Sequence, residues 1–256
     1  MNPWVKGILY FTTGLTAAVL VKLCWTGLVR TYKLLFCYLA ADLVSSIGAL
    51  TIRYDTKTYG DVYFSSQTLK IVISAFVVVE IYALALAGTP ALARFGRNTV
   101  SYILGAAALV PVVKILMDHS TASLRLLPAF LLFEQTMDAA MALFLVIMSM
   151  FMAWFPVRMR RNVIVYIGGF IVWALSRSAS VHIISRWSGD KQISMVANSV
   201  QMFIEMGCLL LWLLELRREG ERRTAVVGHL WNRAEAERLT EQLGAINDSL
   251  ERMRRK

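Results

Sequence analysis

The sequence predicts an all-α fold: a polytopic membrane protein with a seven-transmembrane-helix bundle and a C-terminal amphipathic cytoplasmic helix. Three observations lead there. Hydrophobic residues fill 57% of the 256 positions, more than a soluble surface normally tolerates. Apolar runs of about 20 residues, enough for a helix to cross a hydrocarbon core of about 30 Å, recur between short polar breaks. Beyond Leu216 the apolar runs stop and charged residues take over. Residues 1–216 are therefore read as the membrane domain and 217–256 as a charged cytoplasmic tail.

The first span runs from Val5 to Trp25. The apolar stretch after Lys6 lacks a small-residue cleavage site before Lys22, so it is expected to stay as helix one rather than leave as a signal peptide. Leu34–Ile52 forms the second span, and Tyr54–Asp61 is a polar break. Val62–Leu86 follows, ending before Gly88-Thr89-Pro90. The fourth span covers Thr99–Met117 with Pro111 as a kink site. Leu126–Phe155 is the fifth, stopped by Pro156; Asn162–Ile184 and Ile193–Leu216 complete the set.

A net charge of +10 does not indicate nucleic acid here, because the basic residues lie between and after the spans. Arg30, Lys33, Arg94, Arg97, Arg158, Arg160 and Arg161 share one side with Arg217, Arg218, Arg222 and Arg223, against Lys6, Lys57, Arg125, Arg186 and Lys191 on the other. The positive-inside rule then puts the N-terminus outside and the C-terminus in the cytoplasm of a bacterial inner membrane. Trp4, Trp25, Trp154, Trp187 and Trp212 fall near expected interfaces and read as anchors. Cys24, Cys37 and Cys208 lie in apolar runs and read as packing residues.

Ionisable residues deep in a bilayer cost about 3 kcal/mol each on insertion scales, so each needs a partner, water or a use. Lys70, Glu134, Asp138, Arg177 and Glu205 fall between the outer third and the midplane and form the candidate ligand or ion pocket. Glu134 and Asp138 are four residues apart, which places both carboxylates on one helix face. Lys70 and Arg177 are the cations at comparable depth, and Arg177 has a bidentate fork that lysine lacks. The group is either a closed salt-bridge network that fixes helix order or a ligand cavity. Asp42, Glu80 and Lys114 are read as structural.

Several chemistries find no support. The seventh span has no lysine for a retinal Schiff base. No H-E-x-x-H pair is present, and His119, His182 and His229 are scattered, so neither a zinc nor a haem site is expected. Ser176, Ser178 and Ser180 lack a nucleophile elbow, and there is no phosphate loop. No enzymatic activity, cofactor or metal is expected.

In the tail, Ala236, Leu239, Leu243, Ile246, Leu250 and Met253 recur at spacings of three and four, marking one helix face. That face either lies on anionic lipid, packs on its own chain, or serves as a dimerising or signal-relaying helix.

Gly27-x-x-Arg30-x-Tyr32, Pro90-Ala-Leu-Ala-Arg-Phe-Gly-Arg97 and Phe155-Pro-Val-Arg-Met-Arg-Arg-Asn162 resemble segments of a family of seven-helix bacterial integral membrane proteins. That resemblance implies topology and no activity. The architecture is also similar to the seven-helix sensor regions of bacterial signalling proteins, where helix seven continues into a cytoplasmic helix, although here no output domain follows. The expectation is a sensor or receptor-like module that relays an outer-half ligand or ion signal. Its partner would be a cytoplasmic signalling protein or a second copy, contacted through the tail. The alternatives are a small-solute or proton transporter and a non-catalytic assembly subunit.

Overall fold

The computed structural model describes residues 3–51, 57–87, 90–117, 126–154, 157–187, 190–222 and 224–227, and ten positions between 235 and 252. Seven long helices dominate them: α1 (Pro3–Thr26), α2 (Lys33–Thr51), α3 (Lys57–Ala85), α4 (Pro90–Met117), α5 (Leu126–Trp154), α6 (Arg161–Arg186) and α7 (Lys191–Glu215). Six helical segments, in α1, α2, α3, α5, α6 and α7, are long and apolar enough to cross a membrane. The chain is thus an all-α, multi-pass membrane-type protein.

Each expected span lies within a helix or overlaps all but its last residue, yet α3 begins at Lys57 rather than Val62 and α4 at Pro90 rather than Thr99. A helix satisfies its own backbone, so it runs on beyond its apolar stretch. Hydroxyls inside the spans are satisfied the same way. Thr13, Ser45, Thr136 and Ser149 each donate to the carbonyl four residues back, at 2.7 Å.

Sequential helices pack on one another, α1 closes the ring against α7, and α3 touches α2, α4, α5 and α6. In α5 the buried positions Met137, Met141, Leu145, Met148 and Met152 follow the helical repeat and form one stripe against the core. Outward positions such as Phe76, Leu143, Met150, Val172 and Phe203 are more than half exposed and apolar. Water would not tolerate such a continuous apolar surface; hydrocarbon would.

An aromatic chain runs through the core. Tyr32 meets Tyr166 edge-on at 5.4 Å between ring centroids, Phe170 lies 5.1 Å from Trp173, and Tyr38 meets Trp173 at 5.2 Å. Trp212 is only 2% exposed, which corrects its reading as an interfacial anchor. Its indole fits there because Gly169 has no side chain: a Cβ on Gly169 would sit 2.5 Å from Trp212 Nε1. We expect Gly169→Ala to lower stability by about 1–3 kcal/mol through overpacking, read as a lower melting temperature in detergent. Of the cysteines, Cys208 is buried, whereas Cys24 and Cys37 are exposed and so are not core packing residues.

One end of the bundle is rich in arginine and more elaborate than short loops require. Gly27 ends α1 with φ of 71°, a left-handed conformation that glycine adopts without Cβ strain, and a 3₁₀ turn at Leu28–Arg30 leads to α2. The α5–α6 connection contains strand β1 (Val157–Arg160). It pairs antiparallel with β2 (Thr224–Val227), with Arg160 opposite Thr224. Between α7 and β2 the chain turns extended at Arg217 and forms a 3₁₀ turn at Arg218–Glu221. Helix seven does not run straight on as the likeness to sensor regions implies.

Of the tail face, Leu239 is helical and half-buried, while Leu243, Ile246, Leu250 and Met253 lie outside the described residues.

Candidate functional site: a midplane charge network and an arginine-end clamp

The expected charged residues meet near the middle of the bundle, but in different pairs from those suggested by depth alone. Arg177 on α6 donates from Nε to Asp138 Oδ2 at 2.9 Å and from Nη2 to Glu134 Oε1, both on α5. Its fork is therefore divided between two carboxylates rather than closed on one. The guanidinium also lies over Trp173, 5.7 Å from the ring centroid.

Lys70 pairs with Asp42 on α2 at 3.3 Å, so Asp42 belongs to the network that the sequence reading set it apart from. The sequence places Asp42 nearer the cytoplasmic half than Lys70, and their pairing corrects that: the two lie at one level, where α2 packs on α3.

Glu205 falls on the α7 stripe Ala197, Gln201, Glu205, Cys208 and Trp212, spaced like one helix face. Ala197, Cys208 and Trp212 are buried, so this face turns inward. Glu205 is within electrostatic reach of Asp42, Lys70 and Arg177, but among the described residues it makes no hydrogen bond or ion pair. Four carboxyls, Asp42, Glu134, Asp138 and Glu205, thus share two cations, Lys70 and Arg177. Two further acceptors are short of donors: Asp138 Oδ1 and Gln67 Oε1 are buried without hydrogen-bond partners among the described residues.

A cleft of about 170 Å³ reaches this network from between α1, α2 and α3, with Ser45, Tyr63, Ser66, Gln67 and Lys70 in its walls. A larger groove of about 550 Å³ lies between α6 and α7, lined mainly by apolar residues such as Ile193, Val196 and Val200. It contains none of the paired charges. His182 is exposed and bonds to Gln135 at 3.2 Å, whereas His119 and His229 lie outside the described residues. Among the described residues no three His, Cys, Asp or Glu gather at metal-binding spacing.

A second feature leaves no local pattern in the sequence. At the arginine-rich end, Glu221 accepts hydrogen bonds from Tyr32 Oη at 2.5 Å, Arg160 Nη1 at 2.8 Å and Asn162 Nδ2 at 2.9 Å. Asn162 is fully buried; it also donates to Arg217 O at 2.8 Å and accepts from Arg217 N–H at 3.3 Å. Gly220 packs so closely on Asn162 that a Cβ would collide with Oδ1. Arg218 caps α1 by donating to Thr26 O at 2.7 Å and Trp25 O at 2.9 Å, and Arg161 pairs with Glu215 at 2.6 Å.

This clamp ties the chain after α7 to the α1–α2 and α5–α6 connections. Two of the three resemblance segments supply its parts, through Gly27 and Tyr32 and through Arg160 and Asn162. The third places Gly96 against the Tyr82 ring, where a Cβ would come within 2.5 Å.

Burial alone would raise the Glu221 carboxyl, but hydrogen bonds from Tyr32, Arg160 and Asn162 outweigh it and hold the group below the ordinary glutamate value. A depressed carboxyl stabilises the fold above its unfolded value and loses that contribution as pH falls through the folded one. The clamp is therefore expected to hold at neutral pH and loosen on acidification below the ordinary glutamate value of 4.5. A spin-label distance between Lys33→Cys and Arg222→Cys should lengthen in that range.

No family model, curated protein or solved structure matches the chain. The functional reading therefore rests on the two sites themselves.

The two sites are joined through α3. Glu80, farther along the helix that carries Lys70, accepts from Leu34 N–H at 3.2 Å and from Tyr166 Oη at 3.3 Å. Tyr166 stacks edge-on with Tyr32, which bonds Glu221. Paired side chains and one continuous helix thus connect the midplane to the clamp.

Proposed function

We propose that this protein is an integral membrane sensor or receptor-like module of a bacterial inner membrane, with the midplane network as input and the clamped tail as output. The observation that carries this reading is the connection through Lys70, α3, Glu80, Tyr166, Tyr32 and Glu221. In this reading α4 is the seventh crossing, which agrees with its packing against both α3 and α5. The arginine-rich end faces the cytoplasm and the N-terminus lies outside. The tail helix meets a cytoplasmic signalling protein or a second copy of the chain.

Spatial continuity alone does not establish coupling; a double-mutant cycle tests it. In nanodiscs, with Cys24 and Cys37 replaced by alanine, tail-to-tail crosslinking through Glu241→Cys should change when Lys70→Met perturbs the midplane. Glu80→Gln should abolish that response. A crosslink yield indifferent to Lys70→Met in a folded bundle sinks the relay.

A second reading, proton or small-solute transport, is favoured by the surplus of carboxyls over cations at the midplane. Flux into proteoliposomes that disappears in Asp138→Asn would select it.

A further inference from the structure

We propose that the input to the midplane network is a proton, bound at Glu205. The inference rests on the sensor reading for its consequence, but the binding site stands on geometry. Both nearby cations are already committed, Lys70 to Asp42 and Arg177 to Glu134 and Asp138. Glu205, on the inward stripe of α7, is the carboxyl left over. Glu205 is half-buried, and an ionised carboxylate without a partner is disfavoured where protein and hydrocarbon displace water; a proton is the smallest ligand that neutralises it.

Asp138 supplies an independent sign of missing hydrogens in the same cluster. It is only 2% exposed, yet its Oδ1 has no donor among the described residues. Gln67 Oε1, on α3, is in the same condition. Phe64 and Phe130 stack at 5.0 Å one turn before Gln67 and Glu134, which puts these acceptors and the α5 carboxylates at neighbouring levels. The cluster is short of positive charge and of hydrogen-bond donors together. The described residues offer no three-ligand grouping for a metal ion, whereas a proton needs one oxygen.

The groups facing Glu205 set what protonation does. Those within electrostatic reach are Asp42 and Tyr38 on α2, Lys70 on α3, Arg177 on α6 and, one turn along α7, Cys208. When ionised, Glu205 competes with Asp42 for Lys70. When it takes a proton from a hydronium ion, forming a carboxyl O–H bond and leaving water, it releases that claim and Lys70 stays with Asp42. Since α3 carries both Lys70 and Glu80, the choice made by Lys70 is felt at the clamp.

Infrared difference spectroscopy of the full chain in zwitterionic nanodiscs tests this directly. A protonated-carboxyl band should grow as the pH is lowered, its protonated-to-ionised ratio changing roughly tenfold per pH unit as for one proton. The band should vanish in Glu205→Gln, an isosteric change that removes no hydrogen bond or ion pair among the described residues, and persist in Asp138→Asn. A titrating band that survives Glu205→Gln, or no titrating carboxyl over the pH range in which the bundle stays folded, overturns the proposal. So does a band that responds to sodium chloride and not to choline chloride at fixed pH, which would assign the site to a metal ion.

The relay is read separately from tail crosslinking over the same pH range. A titrating Glu205 with constant crosslinking keeps the proton site and removes the relay. Crosslinking that still responds to Lys70→Met while no carboxyl titrates overturns the proton alone.

Discussion

Arg177→Ala is expected to destabilise the bundle by about 3–5 kcal/mol, because it leaves the Glu134 and Asp138 carboxylates buried together without their cation. The measurement is the midpoint of unfolding in mixed micelles. Adding Glu134→Gln and Asp138→Asn to the same chain should recover much of the loss, since the cost comes from uncompensated charge rather than from missing bulk. If the triple variant is no more stable than Arg177→Ala alone, the divided ion pair is not what holds α5 to α6. The comparison also separates roles: a triple variant that folds yet no longer couples the midplane to the tail gives the charges a use beyond joining helices.

Asn162→Ala should cost about 2–4 kcal/mol and free the segment after α7. A fully buried side chain that bonds both backbone groups of Arg217 and the Glu221 carboxylate leaves three partners short when it is removed. Proteolysis should then cut near Arg217, Arg218 and Arg222 faster than in the parent chain, while the spans stay protected by the bilayer. Equal cleavage of the two proteins would show that the clamp is not held by Asn162. Gly220→Ala is a second route to the same release, because its Cβ would displace Asn162 from the opposite side.

How much of this was legible in the sequence depends on the range of the interaction. Helix positions were clear because hydropathy is local: the fifth span, read as Leu126–Phe155, is observed as Leu126–Trp154. The start of α3 at Lys57 was not clear, since hydropathy marks where lipid ends rather than where hydrogen-bonded backbone ends. The spacing of Glu134 and Asp138 correctly placed both on one face toward Arg177. The partnership of Lys70 with Asp42 needed the packing of α2 against α3, which no pattern within either helix encodes.

The clamp was hidden for a different reason. Glu221 sits among arginines in Arg217-Arg-Glu-Gly-Glu-Arg222 and reads as ordinary solvated charge, since its partners Tyr32, Arg160 and Asn162 are distant in the chain. Four residues of alternating Val157-Arg-Met-Arg160 are too few to announce a strand without the edge contributed by Thr224–Val227. Asn162 looked like the mere start of a span. Its fully buried position could be found only once α7 and the residues after it were in place.

The β1–β2 pairing also bears on how the protein is made. Val157–Arg160 leaves the ribosome before α6 and α7 exist, and its hydrogen-bonding partner comes only after α7 has been synthesised. The α5–α6 connection must therefore wait, with its backbone groups solvated, while the last two helices enter the membrane. Closure of the arginine-rich end is then a late step of biogenesis, a fastening made after insertion rather than a guide to it. A chain stopped after Leu216 should insert normally yet expose that connection to protease.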